Sequence, residues 1–169
     1  MTMTSAVSTL ARLLTQSGGA EVAVAGGKLR SFIRGRPCAA HDVALVLRSC
    51  GHLPPSDYLE MVQELGECRL FVDEEGTPSI EVHHPSDIDM LYSEVFDDPS
   101  SLWNLVLPVI TLNRLQELGV FLWHEGEWRF TVVPHDEHPD DWVESIGQTP
   151  NLGELLEEAI SGGGDMPVH

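Results

Sequence analysis

Residues 119–133 have the sequence GVFLWHEGEWRFTVV, and this stretch decides the fold. In its second half, residues 127–133, apolar side chains alternate with polar or charged ones, which is typical of a strand with one buried face. Glu125-Gly126 separates that half from the apolar run 119–124, and a two-residue connection ending in glycine favours a tight antiparallel turn. The stretch therefore predicts a β-hairpin.

Further strands are predicted on the N-terminal side of this hairpin. Residues 106–112 (VLPVITL) are almost entirely apolar and precede it across a predicted short turn at 113–118. Residues 68–72 (CRLFV) and 78–83 (PSIEVH) flank the turn sequence Asp73-Glu74-Glu75-Gly76, which predicts a second antiparallel hairpin. A central antiparallel sheet built of hairpins follows.

Helices are predicted where apolar residues recur at three- and four-residue spacing. These segments are residues 5–17, 40–49, 57–65, 86–98 and 149–160, with a short strand at 20–25. N-terminal helices, a central sheet and a C-terminal helix predict a single α+β domain over residues 1–161. Residues 1–40 are interpreted as an N-terminal extension of undefined role, and the glycine-rich residues 162–169 as a flexible tail.

Charge is distributed unevenly along the chain, whose formal net charge is −18. Residues 1–50 have a balance of +4 and residues 51–169 a balance of −22, counted from the Lys, Arg, Asp and Glu of the sequence. Such a field repels nucleic-acid backbones and attracts basic partners. The cationic stretch 28–36 is therefore interpreted as a solvated face or an internal ion-pair surface, and no nucleic-acid partner is expected.

The remaining composition predicts a cytoplasmic protein that does not enter a membrane. No apolar run approaches the ~18–20 residues that a membrane helix needs. The N-terminal residues lack the pattern of a secretory signal. Cys38, Cys50 and Cys68 are odd in number and have no CxxC spacing, which is typical of reduced thiols.

Acidic residues are concentrated at predicted turns and in one loop. The loop, residues 135–144, adds an aromatic side chain that we interpret as an anchor for a partner. The alternative is a solvated loop between a strand and a helix. The candidate partner-binding residues are Asp73, Glu74, Glu75, Asp97, Asp98, Asp136, Glu137, Asp140, Asp141, Trp142 and Glu144.

A metal-dependent enzyme is a further hypothesis. It would use His135, Asp136 and His138, completed by one of His83, His84 or His124. An H-x-x-H pattern in a loop lacks the fixed geometry of two histidines on one helix. No GxSxG nucleophile motif or phosphate-binding glycine loop is present either. No catalytic residue, metal or cofactor is therefore expected, and the protein is expected not to be an enzyme.

The order of several motifs resembles the SUKH superfamily, the Smi/Knr-like proteins. These motifs are Gly51-His52-Leu53-Pro54-Pro55-Ser56-Asp57-Tyr58, Gly66, Leu70-Phe71, Leu107-Pro108-Val109-Ile110, the hairpin at 119–133 and the helix that begins at Pro150. The resemblance covers roughly residues 40–160. It implies a non-catalytic fold, and many bacterial members are immunity proteins that neutralise a toxin domain, often a nuclease. The resemblance thus implies a basic toxin domain as the partner.

Two points stay open at the level of sequence. The same acidic surface would suit a scaffold or a secretion-accessory module with a different partner. Whether the chain also forms a homodimer is not decided by its sequence.

Overall fold

A computed structural model describes residues 2–88, 90–91, 105–112 and 116–167, apart from the side chains of residues 47–50. Its described part contains one antiparallel sheet in which seven strands lie in chain order, so that each strand pairs with the next. The strands are β1 (Glu21–Ala23), β2 (Leu29–Arg34), β3 (Cys68–Val72), β4 (Ile80–Val82), β5 (Val106–Leu112), β6 (Glu117–His124) and β7 (Glu127–Pro134).

Helices accompany this sheet. They are α1 (Met3–Ser17), α2 (Ala40–Cys50), α3 (Ser56–Leu65) and α4 (Leu152–Ser161), with short 3₁₀ segments at Ala25–Gly27, Pro85–Asp87 and Pro139–Ser145. The predicted α+β class, with N-terminal helices, a central antiparallel sheet and a C-terminal helix, is confirmed. The helix predicted over 86–98 begins within the 3₁₀ segment, and most of it lies outside the described residues.

The hairpin predicted over residues 119–133 is present. Glu125 and Gly126 have φ angles of 53° and 82°, so both turn residues are left-handed, as a type I′ turn requires. The turn pairs Trp123 with Trp128 across the two strands. Their rings meet edge to face with centroids 5.4 Å apart, a favourable geometry for aromatic pairs.

The first 40 residues are part of the core, contrary to their interpretation as an extension. Leu10 and Leu14 of α1 are almost fully buried, and α1 contacts both α3 and α4. β2 pairs with β3, and Phe32 of β2 is buried with its ring 4.8 Å from that of Phe71. The domain therefore needs these residues to complete both its sheet and its helical layer.

The segment after α4 is attached to the sheet, so the expected flexible tail does not begin at Gly162. Lys28 donates from Nζ to the carbonyl of Gly162 at 3.0 Å and to the carboxylate of Asp165 at 2.5 Å. Ser79 donates from Oγ to the carbonyl of Gly164 at 2.6 Å. A side chain at Gly164 would lie 2.5 Å from Cβ of Phe71, so glycine allows this close approach. The last two residues lie outside the described part.

Candidate functional site

The strand register places two acidic segments at the same end of the sheet. Ile80, which follows the β3–β4 turn, pairs with Leu112, Leu112 pairs with Glu117, and Glu117 pairs with Pro134. The turn at 73–76 and the loop that follows β7 therefore leave the sheet at one end, about 14 Å apart given three strand spacings. We call this the acidic end, defined by Asp73, Glu74, Glu75, Asp136, Glu137, Asp140 and Asp141.

Most carboxylates of the acidic end face water. Glu74, Glu75, Asp136, Asp140 and Asp141 are exposed, whereas Asp73 and Glu137 are partly buried. Within the described chain, no Lys or Arg forms an ion pair with Glu74, Asp136 or Asp141. The negative charge at this end is thus available to a partner.

Asp73 shapes the turn that presents its neighbours. Its Oδ1 accepts hydrogen bonds from the backbone N–H of Glu75 at 3.0 Å and of Thr77 at 2.9 Å. This is the local bonding that makes aspartate common at turns. Arg69 also donates from Nη2 to the carbonyl of Gly76 at 2.6 Å. Asp73 therefore has a structural role, and the exposed Glu74 and Glu75 at the turn are the residues that suit contact.

Trp142 is not an exposed anchor, and that part of the prediction is wrong. Its side chain is 0% exposed and belongs to the hydrophobic core. The 3₁₀ segment Pro139–Ser145 folds it inward, and its Nε1–H donates to the carbonyl of Glu137 at 3.2 Å. Trp142 thus attaches the acidic loop to the core and fixes the loop's position.

The other predicted residues divide into two groups. Glu144 is exposed on the same 3₁₀ segment as Asp140 and Asp141. Asp97 and Asp98 lie outside the described residues.

A groove beside the β3–β4 turn adds an apolar centre to the acidic end. Leu29 is 54% exposed and lies next to charged side chains. No local pattern in the sequence predicts this feature, because the pairing of β2 with β3 brings together residues far apart in the chain. The groove has a volume of about 520 Å³ and is lined by Glu21, Leu29, Arg30, Asp73, Glu74 and Glu75.

The cationic stretch 28–36 is largely an internal ion-pair surface. Lys28 and Arg30 both contact Asp165, and the hydrogen bond from Lys28 lowers the pKa of that carboxyl below its ordinary value. Arg36 forms a bidentate ion pair with Glu67: its Nε donates to Oε2 at 2.8 Å and its Nη2 donates to Oε1 at 3.0 Å. Asp165 and Glu67 therefore pair with three of the four cations, whereas Arg34 donates from Nη2 to Oγ1 of Thr15 at 3.2 Å.

The histidines of the metal hypothesis do not come together. His83 and His84 follow the end of β4 that is remote from the acidic end, and His124 ends β6 at that same remote end. His135 and His138 lie in the loop after β7, at the acidic end. In the part of the chain that the structure describes, no three His, Cys, Asp or Glu side chains are arranged to hold a metal ion.

The chain matches no known protein family, no curated protein and no solved structure at a significant level. Among the described helices, none combines the length and the apolar character that crossing a bilayer requires.

Proposed function

We propose that this chain is a non-catalytic, cytoplasmic binding protein whose acidic end docks on a basic surface of a partner protein. One observation carries the proposal: the register brings the turn at 73–76 and the loop after β7 to one end of the sheet, with exposed carboxylates in both. Charges gathered on one face steer an oppositely charged partner and raise its association rate.

The groove at Leu29 supports protein recognition in particular. Protein interfaces gain most of their affinity from a few apolar or aromatic contacts surrounded by a polar rim. Leu29 is exposed in a groove that Arg30, Glu21, Asp73, Glu74 and Glu75 also line, so its rim has more acidic than basic side chains. A basic partner would place an apolar side chain against Leu29 and its Lys or Arg residues against the rim.

A toxin domain of the nuclease type is the partner class that we favour. A nuclease holds phosphates with Lys and Arg, so its active face is basic. An acidic surface that covers this face competes with the phosphates and excludes the substrate, which is how an immunity protein works. The resemblance to SUKH proteins and the net charge of −18 support this form of the proposal.

Neutralising the acidic end should slow association with the basic partner. The variant Glu74→Gln, Glu75→Gln, Asp141→Asn removes three exposed charges and is expected to lower the association rate about tenfold at 0.15 M salt, and much less at 1 M. The probe is the product of the neighbouring gene, purified as an inactive variant, with kinetics measured by surface plasmon resonance. Co-expression with the active product tests protection of cells.

A matched control changes the net charge equally at other sites. Glu60→Gln, Glu64→Gln, Glu125→Gln removes two charges from α3 and one from the β6–β7 turn, which lies at the opposite end of the sheet. None of these residues belongs to the acidic end, so the variant should change the rate less than twofold. Equal effects of the two variants would show that only total charge matters and would refute the acidic end as the docking surface. Tight binding of a non-toxin partner that does not weaken at 1 M salt would instead favour a scaffold or secretion-accessory role.

A further inference from the structure

The outer edge of β7 has backbone groups to which no described residue outside β6 bonds, apart from the one that Thr149 caps. The two-residue turn makes His124 and Glu127 a hydrogen-bonded pair, so alternate residues from Glu127 onward bond to β6. The residues between them, Trp128, Phe130 and Val132, therefore direct their backbone N–H and C=O away from β6. The donation from the N–H of Val132 to Oγ1 of Thr149, at 3.0 Å, agrees with this phase.

Among the described residues, hydrogen bonds cover only part of this edge. Thr149 caps it at Val132 and also bonds to the side chain of Thr131 at 2.9 Å. No described residue bonds to the backbone N–H of Trp128 or Phe130. The uncovered stretch runs from the hairpin tip at Gly126 to Phe130, and four of its five residues belong to β7, which is about 13 Å of strand. An exposed edge of this length is a template for another strand.

We propose that a second copy of this chain pairs with the uncovered edge, antiparallel and centred on Trp128. The two-fold axis then places Trp128 beside Trp128 of the second copy, with a backbone hydrogen bond in each direction. Residue 128 is the midpoint of the uncovered stretch 126–130. This register therefore places the two uncovered stretches opposite each other over their full length. In this register Val132 and the Thr149 that caps it lie beyond the hairpin tip of the second copy. Thr149 therefore does not obstruct the pairing of the two strands.

Charge selects the same register. With Trp128 at the centre, Glu127 of each copy lies opposite Arg129 of the other, which gives two favourable cross-strand pairs. Moving the centre one residue either way places Arg129 opposite Arg129, or Glu127 opposite Glu127. Both side chains are about half exposed, and within one chain they already form an ion pair with each other. Exchange of these partners between copies therefore needs only a rotation of the side chains.

Apolar contacts accompany the strand pairing. Trp128 and Phe130 are only partly buried, and Leu53, whose carbonyl accepts the Nε1–H of Trp128 at 2.8 Å, is 81% exposed. His52 stacks on Trp123 in the same cluster, with centroids 3.7 Å apart. Aromatic side chains paired across neighbouring strands stabilise a sheet, so the Trp128 pair adds to the backbone bonds.

The arrangement also keeps the strongly charged surfaces apart. β7 ends at the acidic end, at Pro134, and the two copies of β7 run in opposite directions. The two acidic ends therefore lie at opposite extremes of the dimer, and repulsion between two chains of charge −18 is reduced. The dimer would present two separate acidic ends, so that each could hold its own partner.

Sedimentation velocity of the full chain from about 1 to 100 µM tests the proposal, a range that brackets a micromolar dissociation constant. The expected result is a shift from the 18.6 kDa monomer to a species of twice that mass. Arg129→Glu should raise the dimer dissociation constant about tenfold or more, because it sets like charges opposite each other twice. The exchange Glu127→Arg, Arg129→Glu restores both pairs and should restore the dimer.

Arg12→Glu is the matched control, since it makes the same charge change on an exposed residue of α1. It should leave the dissociation constant within twofold of wild type, and circular dichroism should show all variants folded. A wild-type chain that stays monomeric at 100 µM overturns the proposal. So does a dimer that Arg129→Glu leaves intact, or one that the charge exchange fails to restore. None of these results depends on whether the acidic end binds a toxin.

Discussion

Replacing Trp142 by alanine is expected to lower the free energy of unfolding by about 3–5 kcal/mol. The side chain is fully buried, so truncation leaves a large cavity and removes many contacts in the core. It also removes the bond from Nε1–H to the carbonyl of Glu137, which fastens the acidic loop. Urea denaturation followed by circular dichroism measures the change.

Two variants separate packing from hydrogen bonding and from partner contact. Trp142→Phe keeps most of the apolar volume and loses the donor, so a smaller loss of about 1–2 kcal/mol is expected. Val143→Ala changes an exposed neighbour on the same segment and should cost less than about 0.5 kcal/mol. If Trp142→Ala left stability unchanged and weakened only partner binding, the exposed-anchor interpretation would be correct after all.

The inward position of Trp142 could not be predicted from its surroundings. Residues 134–141 are polar and contain two prolines, a composition that indicates a surface loop. Trp142 is buried because the 3₁₀ segment turns its ring toward the core. Just after this segment, Thr149 accepts a hydrogen bond from the backbone of Val132 and so holds the chain against β7. These are contacts between elements, and no local pattern encodes them.

Local patterns predict two of the strands with the correct bounds. β3 and β5 have the predicted bounds, 68–72 and 106–112, because each is a short apolar run bounded by turn residues. A strand is predicted at 20–25, where β1 forms, but none is predicted for β2. β2 and β3 are neighbours in the sheet but are separated in the chain by α2 and α3, so local patterns do not indicate their pairing. Residues 1–40 are therefore interpreted, from the sequence alone, as an extension of the domain.

The sequence predicts one property of the acidic end, the charge of its loops, but not the other, their position at one end of the sheet. That residues 73–75 and 136–141 are acidic loops is evident from the sequence. That both lie at one end depends on the strands pairing in chain order, since alternate connections of an antiparallel meander fall at the same end. The pairing of Arg36 with Glu67, 31 residues away, was equally invisible to local patterns.

Glu67→Gln is expected to destabilise the protein by about 1–2 kcal/mol at pH 7, a value that allows for screening of the half-exposed Arg36. Arg36 donates from its side chain to both carboxylate oxygens, and its backbone N–H donates to Oε2 at 2.9 Å. The side-chain bonds are the main reason that the pKa of Glu67 is lowered to about 2. Gly35 permits this approach, because a Cβ there would lie 2.7 Å from Oε2 of Glu67.

The pH dependence gives the sharper test. The pKa of Glu67 is lower in the folded chain than in the unfolded one, so the pair's contribution is complete above about pH 5 and is lost as pH falls toward 2. The gap in unfolding free energy between wild type and Glu67→Gln should therefore be widest at neutral pH and narrow steadily below pH 5. Glu64→Gln, an exposed change on α3, should show no such pattern. A gap that stays constant from pH 7 to pH 2 would mean that the amide disrupts packing, and that the charge of Glu67 adds nothing to stability.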